Sequence, residues 1–186
     1  MVKKVNLIEK VIFTQKCYNF NLNEFLIIAQ EFKNNNSLWQ TNQAEHFAKI
    51  FWEYQIKLHN FLTSYYTFYQ ICLPIIESQD DWFKQECDKK LEKFNLSKRS
   101  KFLIHLRTFV QHGNLPRYFA KWDFDNEKIS KISIVEESLK HWKNWNSSDI
   151  DILDIILKTS SFEEFLYEFN EDYTKFVSWF ILNVKE

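Results

Sequence analysis

With three arginines and five histidines among 186 residues, each arginine–histidine spacing can be examined individually. One pair stands in "FLIHLRTFVQHGNLP", residues 102–116, which also holds the chain's only glycine and one of its two prolines. Arg107 offers a fixed planar cation for a phosphate, and His112 an imidazole that moves protons near neutral pH. On a helix turning about 100° per residue, Phe102, Leu103, Phe109 and Val110 gather around Leu106 as a core face. Arg107 and His112 flank that stripe on opposite sides, about 140° apart. Lys101, Ile104, Thr108 and Gln111 fall on the outward face between them. Gly113 suits a helix C-cap and Leu115-Pro116 prevents continuation, which places His112 in the last turn, where the helix macrodipole favours a cation.

Most other site chemistries are excluded. A single glycine permits no phosphate-cradling loop and no G-x-S-x-G turn. His46, His59, His105, His112 and His141 show no carboxylate at metal-ligand spacing, so neither metal nor cofactor is expected. Arg99 and His105 repeat the arginine–histidine spacing, but Arg99 falls on the core side of the wheel.

The net charge of −1 conceals an asymmetry. Residues 84–131 carry 12 basic and 6 acidic side chains, and residues 149–186 carry 3 basic and 9 acidic ones. A local excess of six positive charges can attract a phosphate backbone, with Lys98, Arg99, Lys101 and Arg117 as the RNA-binding candidates around the motif. The alternative is a basic helix surface facing an acidic one.

The elements that must position these residues read as helices. The composition is 45% hydrophobic and 18% aromatic with one glycine and two prolines, too few turn formers for an all-β chain. The length suits a single domain over residues 1–186. Phe47, Phe51, Tyr54, Leu58, Phe61, Tyr65, Phe68 and Cys72 alternate steps of four and three, predicting a long aromatic-seamed helix over about 38–73, ended near Pro74. "SQDD" at 78–81 resembles a capping box opening a helix to about Phe94, and a further helix begins near Ser97. Helices are expected near 22–33 and 148–158, and after "SFEE" at 161–164. Residues 117–135 alternate apolar and polar side chains around Asp125-Asn126, predicting a small β-hairpin or extended insertion. The fold class is thus an all-α, up-and-down helical bundle. Cys17, Cys72 and Cys87 share no C-x-x-C spacing and read as free thiols of a reducing, cytoplasmic setting. No stretch has a membrane span's length or a signal peptide's pattern.

The run Arg107-Thr108-Phe109-Val110-Gln111-His112 resembles the R-x(4–6)-H motif on a late helix of HEPN domains. The resemblance covers roughly residues 38–112 and the C-terminal helix. It implies an all-α bundle and a metal-independent endoribonuclease of toxin–antitoxin or phage-defence systems. It also implies a homodimer whose paired motif helices form a composite site, and an antitoxin partner such as a small nucleotidyltransferase. Arg107 and His112 would be catalytic, with Thr108 and Gln111 supporting them. Ile104, on the outward face between the pair, would anchor the two-fold interface. The alternative is a helical bundle without catalysis, serving partner binding or regulation.

Overall fold

The computed structural model describes residues 7–34, 44–112, 118–123, 128–134, 139, 142–158 and 162–185. The first element, α1, is Leu7–Asn34, a helix of 28 residues that contains the helix expected near residues 22–33 and begins well before it. Nothing in its interior stops it, because the span holds neither glycine nor proline. Its turn-prone side chains are also satisfied within the helix: Thr14 Oγ1 donates to the Lys10 carbonyl at 2.8 Å, and Asn21 Nδ2 to the Cys17 carbonyl at 2.8 Å.

The aromatic seam lies on α2, Ala44–Ser78. Tyr54, Leu58, Phe61, Tyr65, Phe68 and Cys72 are buried, while Phe47 and Phe51 stack on each other at the half-buried start. The expected stop near Pro74 is not observed, since this proline lies inside the helix. Pro74 is exposed and so is Gln70, whose carbonyl loses its usual N–H partner. Solvent can take that carbonyl, while buried Ile75 and half-buried Ile76 hold the next turn onto the core. The start expected at residue 38 lies outside the described residues.

Helix α3, Asp81–Lys93, is capped by Asp80, whose carboxylate accepts from the Phe83 N–H at 2.9 Å. Ser78 plays no capping part there: its hydroxyl donates to the Ile75 carbonyl at the end of α2. A sharp corner follows at Asn95, the one described non-glycine residue with positive φ (49°), a left-handed conformation asparagine tolerates better than most. Helix α4, Leu96–Gln111, carries the motif. Strands β1, Tyr118–Asp123, and β2, Lys128–Ile134, pair antiparallel with an irregularity at Lys121/Trp122. Helices α5, Ser147–Lys158, and α6, Phe162–Asn183, complete the chain. Ser161, the expected cap of α6, lies outside the described residues.

Apart from the β1–β2 ribbon every described element is helical, and the packing is that of an all-α bundle. Helix α1 lies along α2; α4 packs on α2, α3, α5 and α6; α6 also meets α1 and α3. Rings fill the centre, with Tyr18 tilted or edge-on to Phe61, Tyr65 and Tyr173 at centroid separations of 5.6–5.9 Å. Two buried tyrosines keep their hydroxyls bonded across the bundle, Tyr18 to Asn170 and Tyr54 to Glu163, each at 3.0 Å. Burial raises the pKa of Tyr18, Tyr65 and Tyr173, because the interior disfavours a phenolate. No described helix is long and apolar enough to cross a membrane.

Candidate functional site

Helix α4 buries the face its sequence predicts: Phe102, Leu103, Leu106, Phe109 and Val110 are all in the core. It is also covered along its flanks, by α2 on one side and α5 on another. That second layer moves several polar side chains into contacts a one-stripe wheel does not show.

Arg107 points to the α2 flank. Its guanidinium carbon stands 4.1 Å from the centre of the Tyr66 ring, inside the range of a strong cation–π contact. Its Nε is buried and has no hydrogen-bond partner among the described residues, and no described carboxylate pairs with it. His112 is the C-cap residue, with φ −78° and ψ 14°, and its side chain is exposed. Its backbone N–H bonds to the Thr108 carbonyl at 3.1 Å, so the last turn is closed and the helical offset between Arg107 and His112 is preserved. The two therefore share a helix end without facing one another across it.

The supporting and binding residues divide. Thr108 Oγ1 donates to the Ile104 carbonyl at 3.0 Å, which leaves its lone pairs, not its proton, for a ligand. Gln111, Lys98 and Lys101 are exposed, and neither lysine has an ion-pair partner among the described residues. Arg99 is engaged elsewhere: it pairs with Asp172 of α6 at 2.7 Å, bonds to the Phe94 and Asn95 carbonyls, and lies over the Phe169 ring. It locks the α3–α4 corner onto α6 and is not a free cation for RNA. Arg117 lies outside the described residues. Ile104 is half-buried and packed against the core, not projecting from the outward face. The wheel misplaces it because α4 has more than one buried side.

The charge asymmetry is partly internal. Besides Arg99–Asp172, the Lys90 ammonium sits 5.0 Å from the Trp179 ring centre, so α3 and α4 present cations to the acidic helix α6. Lys98 and Lys101 are the cations this packing leaves to solvent on α4.

One polar constellation was not singled out from the sequence. His105 Nδ1 lies 2.7 Å from Asp149 Oδ2, and the Asp149 side chain is only 1% exposed. The same carboxylate oxygen accepts from the Asn146 N–H at 3.0 Å, while Asn146 Oδ1 accepts from the Asp149 N–H at 2.9 Å. This is a reciprocal cap on α5, and its legible signal was the N-x-x-D run 146–149. The contact and the cap together tie His105 of α4 to the first turn of α5. No group of three or more metal-binding side chains occurs among the described residues.

Comparison with protein-family models, with curated proteins and with solved structures yields no match.

Proposed function

We propose that the chain is a metal-independent endoribonuclease of HEPN type, toxin or defence related, acting as a homodimer. The observation that carries this reading is the contrast among the basic side chains of α4. Arg99 and His105 are tied to carboxylates, whereas Arg107 is held by a ring face with no described carboxylate beside it, five residues before an exposed histidine. A cation meant for a phosphate must be positioned without being neutralised, and stacking on tyrosine does that.

In this mechanism His112 takes the proton of the ribose 2′-hydroxyl or returns one to the leaving 5′-oxygen, and Arg107 stabilises the charge of the phosphorane between these steps. The product end is a 2′,3′-cyclic phosphate, and DNA, lacking the hydroxyl, is not cut. The preserved offset between the two side chains calls for a second protomer, whose α4 would supply the complementary residue. Lys98 and Lys101 would meet the flanking phosphates. An antitoxin, such as a small nucleotidyltransferase, would silence the site.

The alternative, a non-catalytic partner-binding module, draws on α1. Phe13, Phe20 and Ile27 repeat every seven residues and are 66%, 65% and 56% exposed. Expression of the wild type beside Arg107→Ala and His112→Ala in one host separates the readings. Growth arrest with RNA breakdown in the wild type alone is expected. Equal growth and intact RNA in all three would favour the module.

A further inference from the structure

A second feature of the bundle lies away from Arg107 and His112 and shares with the proposed RNA surface only Lys101. Where α2, α3, α4 and α6 converge there is a cavity of about 190 Å³. Its walls are apolar side chains from three of these helices: Leu73 and Ile76 of α2, Leu91 of α3 and Phe176 of α6. No carboxylate is among the described residues that line it. The one charged lining group is Lys101, exposed and without an ion-pair partner among the described residues. Tyr69, half-buried, adds a phenol.

Two further hydroxyls, Ser100 and Tyr173, line the same cavity and belong to buried residues. Both stand beside the Tyr65 hydroxyl, which is shielded from solvent and does not itself line the cavity. Cys72 also lines the space, and burial pushes its thiol up to about 12, so it enters as a neutral apolar wall and not as a nucleophile.

We propose that this cavity binds a small aromatic monocarboxylate, its ring enclosed by the apolar walls and its carboxylate paired with Lys101. Size sets the body: an apolar cavity of ~150 Å³ is known to hold one benzene ring, so this one accommodates a single ring with a short acidic arm. Aromatic walls at Tyr69, Tyr173 and Phe176 favour a ring over a branched chain through offset and edge contacts. Charge sets the head, because an unpaired ammonium at the edge of an apolar cavity that no described acidic group lines selects an anion over a neutral or cationic ligand. The hydroxyls of Tyr69, Ser100 and Tyr173 set the preference among such acids, since a polar substituent on the ring can bond to them.

The test is a titration of the amide spectrum of the full chain with phenylacetate, 4-hydroxyphenylacetate and the neutral phenylacetamide. Phenylacetate is expected to give saturable shifts concentrated at Tyr69, Leu73, Lys101 and Phe176, and the hydroxylated acid to bind more tightly. Phenylacetamide, and phenylacetate with Lys101→Met, should each bind about tenfold more weakly. Leu73→Trp fills the space and should abolish the shifts. If that variant does not fold, Lys101→Met, at an exposed position, still decides the matter. Absence of saturable shifts in the wild type, shifts centred elsewhere, or equal affinity for acid and amide would overturn the proposal. None of these outcomes depends on whether the chain cleaves RNA.

Discussion

Replacing the ring beneath Arg107 tests whether Tyr66 holds this cation in place. The contact is short, 4.1 Å from guanidinium carbon to the Tyr66 centroid, and one guanidine nitrogen is shielded from solvent. Cation–π contacts are worth ~0.5–1 kcal/mol when exposed and ~2 kcal/mol when desolvated, so a half-buried pair at this distance should couple by about 1–2 kcal/mol. Tyr66→Leu alone would also lose ring packing, and Arg107→Met alone the hydration of a charge, so neither single variant measures the contact. A double-mutant cycle does, read from urea unfolding with the slope held common to all four proteins. Tyr66→Phe, which keeps the ring face, should retain most of the coupling. A coupling below about 0.3 kcal/mol would mean that Arg107 is not held by Tyr66, and the argument for its prepositioning would fail with it.

Three further outcomes follow from the packing. Pro74→Ala restores an N–H to an exposed point inside α2 and should stabilise the chain by about 1–3 kcal/mol, raising Tm by several degrees; a loss of stability would show that the proline is needed for the helix path. Tyr18, Tyr65 and Tyr173 have folded pKa values raised above those of the unfolded chain, so the stability they contribute is complete below about pH 10 and lost as pH rises further. Each adds a slope of up to about 1.4 kcal/mol per pH unit, and absorbance at 295 nm should show these phenols ionising together with unfolding, not before it. Burial pushes the Cys72 and Cys87 thiols up to about 12, so at pH 8 a disulfide reagent should modify half-buried Cys17 first and reach the other two only at the rate of unfolding; three equal fast phases would contradict the burial.

The core was the most legible part of the sequence, because burying one stripe of a helix imposes a spacing that can be counted. The α2 seam from Tyr54 to Cys72 and the Phe162-to-Phe180 run of α6 are both buried. Helix ends were less legible. Pro74 sits within α2 because its carbonyl partner faces solvent, and that depends on which side of the helix is exposed, not on the proline itself. Helix α1 runs on through Thr14 and Asn21 because those side chains bond within it. At the candidate site, the spacing located Arg107 and His112 and their core-facing neighbours. The surroundings of Arg99, His105 and Ile104 were hidden, because Asp172 lies 73 residues from Arg99 and Asp149 lies 44 from His105. Contacts at such separations are made by the arrangement of α5 and α6 around α4, which no helical wheel contains.

The central claim is that Arg107 and His112 cleave RNA without a metal, and cleavage of a defined oligoribonucleotide in excess EDTA tests it most directly. Purified wild-type protein is expected to cut and leave a 2′,3′-cyclic phosphate. A substrate with a 2′-deoxyribose at the cut position should stay intact. Arg107→Ala and His112→Ala should each lose about 10²–10³-fold in rate while unfolding at wild-type urea concentrations to within about 1 kcal/mol. No cleavage by the wild type on any RNA offered, or cleavage that survives both substitutions, would contradict the account.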